Sequence, residues 1–398
     1  MNGKIPEGWR EVVLKDIAII NPAETLSKGQ PAKKVAMDVL QPFSKKISSF
    51  SIEPYNGGMK FRNGDTIVAR ITPCLENGKT AFVDILREDE VGFGSTEFII
   101  LRERDNVSDK HFLYYFAISP DFRDVAILSM TGSSGRQRVQ TDVVVNHKFQ
   151  VPPLPEQRAI ASVLSSLDDK IDLLHRQNKT LEAMAETLFR QWFVEPCKDG
   201  LPEGWEEKPL NEVCEIFNGY AFQSQTYTDY GQKIIRTLNF SDHWIELNGL
   251  VYISEKMAIE FERFYLKRND FLLVMVGASL GNFAIVTRDI LPALQNQNMW
   301  RFRAKEGFSQ HYLNYRLRRV INEFLHCSSG SARDFFQKSV FYEYKIPLPP
   351  LKLLNSFEET AELLFFKIEL NRYQIRTLEK LRDTLLPKLM SGEVRVKV

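Results

Sequence analysis

Cysteine is scarce in this chain. Four thiols are spread over 398 residues, at Cys74, Cys197, Cys214 and Cys327. None stands in a Cys-x-x-Cys pair, which excludes a zinc ribbon and a dithiol redox motif. The expectation is free thiols in a reducing cytoplasm. An excess of charge of one sign is also missing: 52 basic residues stand against 51 acidic ones, a net charge of +1. Any surface that attracts a polyanion must therefore be local and balanced elsewhere. No apolar run reaches the length of a membrane span, and the opening Met1-Asn2-Gly3-Lys4-Ile5-Pro6 has no apolar signal core. No Gly-x-Gly-x-x-Gly occurs. Gly78-Lys79-Thr80 imitates the end of a P-loop, but Pro73 stands where the earlier glycine is required. The six histidines, at positions 111, 147, 175, 243, 311 and 326, show no metal-ligand spacing.

What the chain does have, it has twice. Pro6-Glu7-Gly8-Trp9 returns as Pro202-Glu203-Gly204-Trp205, and Lys170-Ile171-Asp172-Leu173 as Lys367-Ile368-Glu369-Leu370. Val151-Pro152-Pro153-Leu154-Pro155 matches Ile346-Pro347-Leu348-Pro349-Pro350, and His111-Phe112-Leu113-Tyr114-Tyr115 matches His311-Tyr312-Leu313-Asn314-Tyr315. A repeat of roughly two hundred residues is far longer than a solenoid unit, so each copy is a domain with its connector. The stretches between landmarks differ, so the frame repeats while the filling varies. That suits two modules with one task and two targets. The repeat also excludes a duplicated nuclease and weighs against a single one. Asp334 with Glu343 and Lys345 resembles a nuclease fragment, but the counterparts in the first copy are Lys148 and Gln150.

After Pro155 the turn residues vanish. Ile160, Leu164, Leu167, Ile171, Leu174, Asn178, Leu181, Ala185, Leu188 and Trp192 fall at steps of three and four, a heptad seam ended by Pro196 and Gly200. Phe357, Ala361, Leu364, Ile368, Asn371, Ile375, Leu378, Arg382, Leu385 and Leu389 repeat the pattern, with Ser391-Gly392 beyond the end. Each helix should run about 55 Å. A narrow seam of that length needs a partner helix, and the other copy is the nearest one. Asn178 and Asn371 lie in the seams and are expected to set register. Because the second module separates the two helices, antiparallel pairing is expected. It would place the modules at opposite ends of a rod, related by a pseudo-twofold axis.

The modules mix short β-type runs with Gly, Pro and Asn turns. Thr66–Ala69, Phe98–Leu101 and Phe283–Val286 read as strands. Segments near 109–130 and 309–327 read as helices. Asp65 and Asp270 sit at a turn before a strand in both copies. The fold class is α+β, two tandem modules with small curved sheets joined by two long antiparallel coiled-coil helices. The expected boundaries are 1–153 and 197–349 for the modules, 154–196 for the central helix and 350–398 for the C-terminal helix and tail. Polar loops recur at matching places. Ser133, Ser134, Arg136, Gln137 and Arg138 lie in one, Ser331 and Arg333 in the other, and Gln295, Asn296 and Asn298 in a second loop of the later copy. Arg, Gln and Asn make paired hydrogen bonds to base edges, and Ser and glycine-rich backbone suit phosphates. Arg70, at the end of the first strand, joins this candidate DNA-contacting set.

Taken in order, the opening Pro-Glu-Gly-Trp motifs, the Pro152-Pro153-Leu154-Pro155-Glu156-Gln157 approach to the central helix and the Ser391-Gly392-Glu393-Val394-Arg395-Val396 tail resemble the specificity subunits of type I restriction-modification enzymes. The resemblance covers the whole chain. It implies two target recognition domains, each reading half of a split site in double-stranded DNA. It implies helices that dock two methyltransferase subunits, with restriction and translocase subunits joining in the full complex. Catalysis, with S-adenosylmethionine, ATP and magnesium, would belong to those partners. The absence here of an Asn/Asp-Pro-Pro-aromatic box agrees, and no cofactor is expected in this chain. On the resemblance, Leu164, Leu167, Ile171, Leu174, Asn178, Leu181, Leu188, Leu364, Ile368, Asn371, Ile375, Leu378 and Leu385 form the coiled coil and docking surface. The second copy departs from the pattern, with Leu351-Lys352 where the first has Glu156-Gln157. A competing reading is a coiled-coil hairpin that holds two ligand-binding modules without nucleic acid.

Overall fold

A computed structural model describes residues 5–327 and 336–397. It divides into two compact units, the first made of Met1–Leu173 with Gln374–Val398 and the second of Leu174–Tyr373.

The first unit is built on a four-stranded antiparallel sheet. Its strands are β1 (Ala18–Ile20), β2 (Thr66–Ala69), β3 (Thr80–Phe82) and β4 (Phe98–Glu103), in the order β1-β4-β2-β3. The central strands read as unbroken apolar runs because both faces are covered. Val68, Ile99 and Leu101 pack toward the helices α1 (Lys110–Ile118) and α2 (Pro120–Leu128). Ile67 and Ile100 pack the other way, with Val35 and Phe61 of a second small sheet. That sheet has the order 51–54, 31–35, 92–94, 60–61, with one parallel pair between 31–35 and 92–94.

The second unit repeats this plan. Strands β5 (Cys214–Asn218), β6 (Phe271–Val274), β7 (Phe283–Ile285) and β8 (Met299–Ala304) take the order β5-β8-β6-β7. Here too a second sheet carries one parallel pair, between 232–235 and 293–295. One helix, α4 (Gln310–Cys327), covers the inner sheet where the first unit uses two. The split at Ser119 follows from Pro120, which disfavours helical backbone in the residue before it.

The repeated motifs have structural meanings. In each Pro-Glu-Gly-Trp the tryptophan N–H donates to the proline carbonyl, at 3.0 Å for Trp9 and 3.1 Å for Trp205. The glycines take left-handed φ of 82° and 78°, so the motif is a tight turn that needs glycine at its third position. The turn leads into a two-stranded ribbon, 10–13 against 148–151 in the first unit and 206–209 against 345–348 in the second. Asp65 and Asp270 also do one job. Each accepts a turn N–H at 2.7 Å, from Arg62 and Lys267, and each is gripped by an arginine of the neighbouring strand, Arg102 or Arg303.

The long helices begin within or just after the proline-rich segments. The first, α3 (Leu154–Phe189), spans 36 residues and continues through a π-helical turn at Arg190–Val194. The regular helix thus ends earlier than the expected stop at Pro196. The second, α5 (Leu351–Met390), spans 40 residues and carries Pro387 inside its last turn. Within each unit the helix segments pack antiparallel. In the first, Ile160 and Leu164 share a core with Leu386 and Leu389. In the second, Ala185 and Phe189 share one with Leu354, Phe357 and Ala361.

Candidate nucleic-acid interface

The loops at one end of each main sheet form the candidate interface. In the first unit three of them meet. Residues 70–79 follow β2, 95–97 precede β4, and 129–140 follow α2. The last folds back on itself through an antiparallel bridge between Thr131 and Arg138, which leaves Gly132–Gln137 as a tip. Thr72 holds the tip's base: its N–H donates to Gln137 O at 3.0 Å, and its hydroxyl accepts from Gln137 N at 2.8 Å. Val139 N then donates to Arg70 O at 2.9 Å. The second unit repeats that last bond, from Phe336 N to Met275 O, also at 2.9 Å. The two loops named by sequence are therefore anchored alike, each ending against the residue that follows the central strand.

The named residues divide into three groups. Ser133, Ser134 and Arg136 stand exposed at the tip, and the Arg136 guanidinium bonds to no described residue. Asn298 is exposed in the turn before β8, with φ of 67°. These are open to a ligand. Arg70, Gln137 and Arg138 are partly committed. Arg138 forks onto Glu97 at 2.7 to 3.0 Å, and Arg70 lies 4.0 Å from the same carboxylate. Glu97 thereby cancels charge that the sequence pattern counts as free. Its own pKa is lowered, first by the hydrogen bonds from Arg138. Gln137 contributes mainly backbone.

The third group corrects the sequence reading. Gln295 is fully buried, and its amide donates to Met299 O at 3.0 Å, inside the sheet. It is the last residue of a short strand whose residues are all buried, so either face of the strand would carry it inward. Asn296 is 9% exposed and its side-chain oxygen caps Gln297 N at 2.8 Å. Both serve the scaffold. Ser331 and Arg333 lie outside the described residues.

The helix residues also separate by face. Leu164, Ile171, Leu174, Asn178, Ile368, Asn371 and Ile375 are buried, and Leu167, Leu181, Leu188, Leu364, Leu378 and Leu385 half-buried. The seam therefore closes on itself. Asn371 donates to Asn178 at 2.9 Å, as a register-setting pair would. A second polar pair was not legible: Asp168, 9% exposed, accepts from Arg382 at 2.8 Å and from the Tyr115 hydroxyl at 2.6 Å. Arg382 was placed in the seam, but Asp168 lies one step beside Leu167, where periodicity marks a flank. Outside the seam, α5 also exposes Leu363, Phe366 and Leu370.

Among the described residues, no group of His, Cys, Asp and Glu is placed to hold a metal ion. No helix among them is long and apolar enough to cross a membrane.

Comparison with known proteins agrees with this geometry. The sequence matches the family model described as type I restriction modification DNA specificity domain twice, over residues 6–183 and 202–353. It is 25% identical over 397 residues to the type I restriction enzyme EcoAI specificity subunit of Escherichia coli, covering 75% of this chain and 67% of that one. It is 26% identical over 325 residues to the MjaVIII specificity subunit of Methanocaldococcus jannaschii, covering 77% and 75%. The crystal structure of the S subunit of a type I restriction-modification system from M. genitalium matches with a TM-score of 0.63 at 15% identity, covering 98% of each chain, which supports the fold. With these two matches covering most of its length, the chain belongs to the DNA specificity subunits of type I restriction-modification systems.

Proposed function

We propose that each unit reads one half of a split site in double-stranded DNA. The observation that carries this is that two loops that differ in sequence each end on a backbone bond to the residue after the central strand, at the same end of two sheets of the same topology. A conserved frame with exchangeable tips gives two readers with two specificities. In the first unit the exposed Arg136 and the serines beside it contact the duplex, and in the second Asn298 does so.

The long helices fix the separation of the half-sites, as dimer geometry does in other split-site readers. They also dock methyltransferase subunits, and through them restriction and translocase subunits. Leu363, Phe366 and Leu370 support this role, since they add an apolar stripe to α5 on a face the seam does not use. Methyl transfer from S-adenosylmethionine and ATP-driven cleavage are the work of those partners. The near-neutral charge fits a subunit that relies on them for phosphate contacts.

The test is an exchange of residues 206–345 for the matching segment of a relative, followed by methylome sequencing. One half of the target should change while the other half and the spacer stay. A swap that altered both halves, or neither, would overturn the reading.

A further inference from the structure

Phe43 is held in a conformation that its own residue type disfavours. Its φ is 52°, in the left-handed region that a bulky side chain avoids. Such strain persists only where the surroundings enforce it, and it concentrates at ligand-contacting sites. Here the enforcement is visible. Phe43 N donates to Gly78 O at 3.0 Å, and Pro42 bridges Lys79. Gly78 lies under the ring: a Cβ there would meet Phe43 Cζ at 2.6 Å, so only glycine admits it. The Arg123 guanidinium lies 4.7 Å from the ring centroid and is itself tied to the carbonyls of Leu75 and Glu76, at 3.3 and 3.0 Å.

All this fixes a ring that stays 40% exposed. A side chain recruited for the core would be covered, as Phe61 and Phe98 are. The segment that grips it, 70–79, is the one whose Thr72 anchors the Gly132–Gln137 tip. Phe43 thus stands on the loop cluster of the first unit as a preorganised apolar surface beside polar loops. The second unit bridges the backbone of a different aromatic, the 40% exposed Tyr220, to Asn296 of its own turn.

We propose that Phe43 is a specificity-determining residue that contacts the 5-methyl group of a thymine in the major groove. This rests on the reading that the first unit contacts DNA. The chemistry selects the ligand. A phenyl ring makes no hydrogen bond to a base edge, and the thymine methyl is the apolar group that the major groove offers such a side chain. A ring fixed on Gly78 and covered by Arg123 is also a poor wedge for opening a base step, because it cannot move into the stack.

The experiment uses the full chain with its co-expressed partners, on duplexes carrying its methylated target. Each thymine of the half-site read by the first unit is replaced in turn by deoxyuridine, which removes only the methyl. One position should weaken binding about fourfold, the worth of one buried methyl-sized group. The Phe43→Gly variant suits the left-handed backbone and should fold at least as well as the parent. It should bind the thymine and deoxyuridine duplexes equally, with an unchanged salt slope because no charge is lost. The proposal is overturned if every deoxyuridine duplex binds the parent as the thymine duplex does. It is also overturned if Phe43→Gly keeps the difference, or if that half-site has only G·C pairs. Failure of the wider reading looks different: exchanging residues 10–150 would then leave the target unchanged.

Discussion

His111 and His311 begin equivalent helices in the two units, yet their surroundings have little in common. In the second unit the ring of His311 meets Glu362 at 3.0 Å and Asn269 at 3.3 Å, and Arg268 locks Glu362 and Glu369 into the same network. In the first unit Ser165 stands where Glu362 would be, by the register of the repeated Lys-Ile-Asp/Glu-Leu. His111 lies against Phe82, with ring centroids 4.5 Å apart. A buried lysine, Lys45, takes Ser165 at 2.8 Å beside a cavity of about 310 Å³. The seam shows the same contrast. Asp168 and Arg382 of the first unit correspond to Phe365 and Ala185 of the second. Duplication kept the backbone plan and let each unit find its own answer, ionic in one place and apolar in the other. The lesson is that topology tolerates such exchange as long as every buried charge keeps a partner.

The largest effect should come from breaking that rule. Arg382→Ala leaves the Asp168 carboxylate buried without its cation, which should cost about 3–5 kcal/mol in urea unfolding. The pair Asp168→Ala with Arg382→Ala should lose less than Arg382→Ala alone, since it removes the stranded charge. Equal losses would mean that the cost is packing, as at Phe365.

A smaller effect separates the units by pH. Glu362 is held down to about 2, first by its hydrogen bond with His311 and then, against burial, by Arg268. A depressed carboxylate contributes stability above its unfolded value, and that contribution fades as pH falls from about 4.5 toward 2. His111 behaves differently. Burial, followed by the charge of Lys45, lowers its pKa below 6.5. The folded state then binds fewer protons than the unfolded one, so stability falls as pH drops below 6.5. Urea midpoints followed by circular dichroism should show Glu362→Gln flattening the lower window and His111→Phe the upper one. Either variant acting in the other's window would break the assignment.

The smallest effect concerns two arginines that look alike in sequence. Arg136→Ala should weaken DNA binding and, if it meets a phosphate, lower the salt slope by about one. Arg138→Ala should change binding less, because Glu97 already occupies its guanidinium. Equal effects in salt-titrated binding would mean that DNA displaces Glu97.

Much of the frame could be read from sequence because it rests on local signals. The Pro-Glu-Gly-Trp turns, the seams from Ile160 and Phe357 and the aspartates before β2 and β6 all depend on neighbours a few residues away. The loop residues were harder. Glu97 reaches Arg138 across 41 positions, and nothing near either residue announces the pair. Gln295 sits in an amide-rich run that reads as a loop, but it ends a strand buried on both faces, which is visible only once that strand is known. Phe43 was passed over because a single phenylalanine before a Ser-Lys-Lys run carries no period, and its meaning lies in Gly78 and Arg123, far along the chain. Asp168 was hidden by a different cause: one residue from the seam, a carboxylate is most often solvated.

The first unit is stitched from two separate stretches, and one of its stitches is Arg395. That side chain reaches Glu156 at 2.8 Å and the Glu7 carbonyl at 3.0 Å, and it lies over Trp9. The second unit is one unbroken stretch, 174–373. The unit that starts first in the chain is therefore the one whose chain is completed last. All of the second unit's chain is synthesised by residue 373, whereas partners that Trp9 and the first half of α3 meet in the first unit come from the last turns of α5 and beyond.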